Sequence, residues 1–98
     1  MNWIAIQPYY KIERRVTSFE QVTVKEDRFM YLFEKKIVTE THDFPIKNVF
    51  DLSYKRIGKE GGLFYLHTLQ GVYSYTVAGD PQSFIDAFKA LVHSSKVL

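Results

Sequence analysis

Apolar and polar residues alternate with a period close to two from Tyr10 to about Ala78, and a period near 3.6 appears only at the C-terminal end. β-Branched and aromatic residues dominate the first eighty positions, so the pattern predicts strands followed by one helix. Tyr10, Ile12, Arg14 and Val16 alternate with Lys11, Glu13 and Arg15, which predicts a half-buried strand with a charged outer face, and Thr17-Ser18 supplies a turn. Phe19 to Lys25 follows with Val22 and Val24 on one side. Glu26-Asp27 reads as an interruption, after which Phe29 to Phe33, apolar on both faces, predicts a central strand. Ile37 to Thr41 is extended, and Asp43 to Asn48 is a short edge piece carrying Pro45. Phe50, Leu52 and Tyr54 alternate with Asp51, Ser53 and Lys55, the clearest alternation in the chain.

Gly58-Lys59-Glu60-Gly61-Gly62 punctuates the pattern, and Leu63 to Leu69 then pairs with Val72 to Ala78 as a hairpin across Gln70-Gly71. Asp80-Pro81 is a helix start: the aspartate accepts from free N–H groups of the first turn, and proline there loses no hydrogen bond. Phe84, Phe88, Leu91 and Val92 fall at i, i+4, i+7 and i+8 with Ile85 beside them, one apolar stripe on a helix over about 80–93 that frays after Ser94-Ser95. The expected fold is mostly β (α+β): seven strands in a bent antiparallel sheet or open barrel, capped by one C-terminal amphipathic helix. Residues 1–9 fit either an extra strand or a tail.

Composition narrows the function more than it identifies it. Ninety-eight residues make one domain, 1–98, and the absence of cysteine excludes disulfides, thiolate metal sites and a cysteine nucleophile. With 13 basic and 11 acidic residues the net charge is +2, too small an excess for a protein whose business is phosphate-backbone contact, so no nucleic acid is expected. The first residues lack the basic and apolar regions of a signal peptide and no window is apolar enough to span a membrane, so a cytoplasmic location is expected.

Two segments resemble a known fold family. Gly62 to Leu91, GLFYLHTLQGVYSYTVAGDPQSFIDAFKAL, looks like the last two strands and capping helix of a small single-domain bacterial pleckstrin-homology-like protein, and Asp43 to Lys55, DFPIKNVFDLSYK, resembles its fourth and fifth strands. With the upstream strands the resemblance covers most of residues 10–93. It implies a non-catalytic binding module, but two features depart from the family. The helix stripe uses Phe84 and Phe88 where many eukaryotic members have tryptophan, and Arg14-Arg15, Lys25 and Arg28 lack the Lys-Xn-(Lys/Arg)-X-Arg spacing of the lipid-binding members. The same scaffold serves lipid, peptide and protein partners, so the resemblance alone selects none of them.

The residues themselves point away from catalysis. His42, His67 and His93 never fall at metal-ligand spacing, and neighbours such as His42-Asp43 point to opposite faces of an extended chain. The glycine-rich stretch has its lysine before the diglycine and a strand after it, unlike a phosphate-binding loop, and no serine lies in a G-x-S-x-G elbow. The chain is therefore expected to have no cofactor, no metal and no enzymatic activity. The leading expectation is recognition of a protein or peptide at an exposed strand edge or one end of the barrel; the edge beside Asp43–Asn48 offers addition of a peptide strand or pairing with a second copy, and Lys47→Pro would remove binding there and spare the core. The alternative is an anionic lipid surface or acidic ligand met by a weak basic patch of Arg14, Arg15, Lys25, Arg28, Lys35 and Lys36. Spatial clustering of those six on one face would favour it.

Overall fold

The computed structural model describes residues 2–59 and 61–96. In chain order they form β1 (Ala5–Val16), β2 (Gln21–Leu32), β3 (Lys36–Val38), β4 (Asp43–Pro45), a 3-10 turn (Ile46–Asn48), β5 (Val49–Arg56), β6 (Gly62–Thr68), β7 (Gly71–Val77) and α1 (Gln82–Lys96). All seven strands join one antiparallel sheet in the order β4-β3-β2-β1-β7-β6-β5. The fold is thus mostly β with one C-terminal helix, as the periodicity predicts.

The sheet is strongly bent. β1 and β2 pair along their full lengths, whereas β1 meets β7 at a single position, Tyr10 opposite Thr76, so the two halves of the sheet hinge there. In a flat sheet β4 and β7, four strands apart, would lie roughly 19 Å from each other. Instead the rings of Phe44 on β4 and Tyr73 on β7 are 4.9 Å apart at 66°, and Tyr9 on β1 meets Tyr75 on β7 edge-on at 4.9 Å. The inner face of the curl carries the core: Met30, Leu32, Ile37, Phe44, Leu52, Phe64, Leu66 and Val77.

The helix closes one end of this curl. Phe84, Ile85 and Phe88 are buried, Phe84 lies edge-on to Phe64 at 5.7 Å, and Leu91 and Val92 pack at the margin. Its start is the one Asp80-Pro81 announces, since the Gln82 N–H donates to Asp80 Oδ1 at 2.9 Å. Asp80→Ala should therefore cost about 1 kcal/mol, read as a lower urea midpoint at unchanged slope; an unchanged midpoint would show that the cap adds nothing.

Several expected boundaries move. Ala5 to Tyr9 are the first part of β1, so this part of residues 1–9 belongs to the sheet. Glu26-Asp27 does not interrupt a strand, because Lys11 stands opposite Glu26 and Tyr10 opposite Asp27 in one continuous β2, and the facing cation removes the penalty that the acidic pair suggests in isolation. Phe19 does not begin a strand. The Thr17 hydroxyl accepts from the Phe19 and Glu20 N–H groups at 3.4 and 3.1 Å, and this local turn leaves Phe19 97% exposed at the ribbon tip. Asp43–Asn48 is strand only as far as Pro45 and then coils into the 3-10 turn. The helix continues to Lys96, beyond the expected fraying point.

The most informative departure lies at Phe50. Val49 pairs with Thr68 and Asp51 with His67, so two steps along β5 match one along β6 and the strand bulges. The bulge turns Val49 inward in place of Phe50, and Phe50 is left 64% exposed although the alternation with Leu52 and Tyr54 would bury it.

Candidate functional site

The side chains expected to form a basic patch are scattered. Directly opposite residues of an antiparallel pair share a face, so the register of β1 and β2 places Arg15 and Arg28 on the inner face and Arg14 and Lys25 on the outer one. Lys35 and Lys36 lie beyond the far end of the β1–β2 ribbon, at the turn into β3. Three of the six are also partnered by acids: Arg28 by Glu40 and by Glu26 at 2.6 Å, Arg15 by Glu13 at 3.5 Å and Glu26 at 3.9 Å, and Lys36 by Asp43 at 3.6 Å. Lys11 adds a contact to Glu40 at 3.7 Å, so the inner-face cluster sets three cations against three acids. Lys25 lies 4.5 Å from the centre of the Tyr10 ring, a cation–π contact. No single face unites the six.

Two phenols sit beneath the ion cluster. Burial pushes the Tyr9 hydroxyl above the usual tyrosine range against the pull of Lys11, Thr39 and Arg28, and burial also raises Tyr75. Both are neutral wall groups at ordinary pH, and the Tyr9 hydroxyl accepts from the Glu40 N–H at 3.3 Å.

The histidines fall into separate settings. His42 stacks on Phe44 at 5.4 Å and holds Thr41 Oγ1 at 2.8 Å through Nδ1, while Asp43 turns to Lys36, so the adjacent pair does not act as base and orienter. Among the described residues no group of three potential ligands is placed to hold a metal ion. His67 does meet a serine, which the spacing of residues along the chain did not reveal: Ser53 Oγ lies 2.7 Å from His67 Nε2 across the β5–β6 ladder, with Asp51 directly opposite His67. A nucleophile needs, besides a base, donors placed for the developing oxyanion and a cleft that positions a substrate. Ser53 and His67 line none of the larger clefts, and the pair is a cross-strand hydrogen bond on the outer face.

A larger concavity among the described residues lies elsewhere. A groove of about 650 Å³ opens where the two edges of the curled sheet approach each other, lined by Glu34 and Lys35 from the β2–β3 turn, Pro45, Ile46 and Lys47, Val49 and Phe50, and Val92 of α1. Each element has a local cause. Pro45 cannot donate to a ladder and ends β4, the 3-10 turn brings Ile46 and Lys47 around the corner, and the bulge swings Phe50 outward to wall the groove. The helix stripe contributes Val92 at its last apolar position. The result is an apolar floor with two lysines and one glutamate at its rim. Beside it β5 is an eight-residue edge strand, and the backbone along its free side has no strand partner in the sheet.

Of the six expected basic-patch residues only Lys35 reaches this groove, whereas the expected edge segment Asp43–Asn48 contributes Pro45, Ile46 and Lys47 to it. Lys47 does so from the 3-10 turn and not from a strand, so Lys47→Pro would not test strand pairing. Phe50 and Val92 were visible only as expected core residues. No signal within the chain marks the bulge, which needs the partner strand's register to be seen. Among the described residues no helix is long and apolar enough to cross a membrane. The chain matches no protein-family model, no curated protein and no solved structure.

Proposed function

We propose that this chain is a non-catalytic binding module of pleckstrin-homology-like type that takes an extended peptide or protein segment in the groove beside β5. The single observation that carries this reading is the groove itself, an apolar trough with two lysines at its rim that opens at the start of β5, an edge strand of the sheet. A segment laid there would gain main-chain hydrogen bonds from the β5 edge, and an apolar side chain would fill the space between Ile46, Phe50 and Val92. Lys35 and Lys47 outnumber Glu34, so an acidic residue next to the apolar anchor is favoured. The scattering of the six basic residues, three of them paired with acids, withdraws support from an anionic lipid surface as the main ligand.

The test is selection from a random peptide library on the purified domain, with amide shift mapping of the winners. Enriched peptides should pair an apolar residue with Asp or Glu, shift Ile46 to Asp51 and Val92, and bind Phe50→Glu at least about tenfold more weakly, which is about 1.4 kcal/mol. Phe50 is exposed, so this variant should stay folded. Peptides that bind Phe50→Glu as well as the native chain, or that shift another surface, would refute the groove.

A further inference from the structure

Resting on that reading of the groove, we infer that its occupant is the tip of the β1–β2 ribbon of a second copy of this chain, so that copies associate head to tail. The tip has the chemistry the groove selects. Phe19 and Glu20 set an apolar ring beside a carboxylate, and Lys35 and Lys47 at the groove rim complement that charge. Val16 and Val22 are also exposed near the tip, one on each face of the ribbon.

The turn at the tip is closed by its own hydrogen bonds. The Thr17 N–H donates to the Glu20 carbonyl at 2.9 Å, and the Thr17 hydroxyl donates to the same carbonyl at 3.0 Å while accepting from the Glu20 N–H. A ring held outward on a turn of this kind loses little conformational freedom on docking. Among the described residues nothing covers it, and Phe19 is almost fully exposed.

Geometry makes the contact intermolecular. β1 and β2 pair over twelve positions, so the tip stands roughly 36 Å along the ribbon from the Ala5–Leu32 end. Glu34 and Lys35 of the groove lie just past that end, and the molecule is 61 Å long against 28 and 27 Å across. Knob and socket therefore sit toward opposite ends of an elongated body. A contact between two different surfaces of identical copies is heterologous and extends as a chain unless its rotation closes a ring. The outer half of the ribbon also lacks support: beyond Tyr10, β1 pairs only with β2, and β2 pairs with β3 only at Tyr31 and Leu32. A two-stranded ribbon alone is marginally stable, and a docked tip anchors its free end.

The interface is small, so association should be weak and visible by sedimentation velocity from about 10 µM to about 1 mM. The native chain should show a sedimentation coefficient that climbs with concentration. Phe19→Ser and Phe50→Glu should each stay monomeric, and both positions are exposed, so circular dichroism should show both folded. An equimolar mixture of the two should stop at the dimer, because each variant retains one half of the contact. Self-docking is overturned if the native chain stays monomeric, if Phe19→Ser associates like the native chain, or if the mixture stays monomeric. Phe19-dependent pelleting of a monomeric native chain with phosphatidylcholine–phosphatidylserine vesicles would assign the tip to a bilayer and overturn it as well. If library peptides still bind the native groove and fail on Phe50→Glu, only self-docking has fallen. If peptides also ignore Phe50, the groove has fallen with it.

Discussion

Phe64→Ala is expected to lower the free energy of unfolding by about 3–5 kcal/mol. Phe64 has no exposed surface and sits in the middle of β6, with Tyr54 opposite it on β5 and Tyr75 opposite it on β7. Its ring also meets the helix, edge-on to Phe84. Truncation removes the apolar transfer term and leaves a hole between two layers, and neither layer can collapse into it without moving a strand pairing or the helix. Domains of this size have about 5–15 kcal/mol to lose in total, so the variant should be close to its folding threshold. Urea unfolding should show a large fall in midpoint with little change in slope; a fall below about 1 kcal/mol would mean that the helix does not depend on this contact.

Gly62→Ala is expected to cost about as much, from the opposite cause. A Cβ at Gly62 would stand 2.1 Å from the Lys55 carbonyl oxygen, 2.8 Å from Arg56 Cα and 2.9 Å from the Ile57 nitrogen, all backbone atoms that no rotamer change can withdraw. The end of the β5–β6 ladder must open to admit the methyl, and overpacking of this kind costs roughly 3 kcal/mol. Gly79→Ala is the control, since nothing lies within 4 Å of the Cβ it adds, and it should stay within about 0.5 kcal/mol of the native chain. Amide exchange should localise the damage, with Lys55 to Ile57 losing protection before the core of β6. Equal stabilities for the two alanine variants would show that the strand ends shift without cost.

The two residues illustrate different degrees of legibility. Phe64 lies in the expected hairpin strand Leu63 to Leu69, whose apolar start is plain in the sequence, whereas Gly62 reads as loop punctuation until Arg56 of β5 is seen paired with it. The candidate site divides in the same way. Val92 is the last member of a visible helical stripe, but its place beside Phe50 depends on how α1 meets the start of β5. Phe19 reads as the first residue of a strand, and it is exposed at a turn because a single hydroxyl, that of Thr17, holds the backbone there.

By itself the sequence determined the class of the fold, the β6–β7 hairpin, the helix and its aspartate cap. These depend on residues within a few positions of one another, where periodicity, glycine and capping chemistry act. Only the tertiary structure decided that β2 runs unbroken through Glu26-Asp27, that β5 bulges at Phe50, that Ser53 meets His67, and that the six expected basic residues separate by face and end. Each of these depends on the register of a partner strand or on the curl of the sheet, which brings together residues distant in the chain.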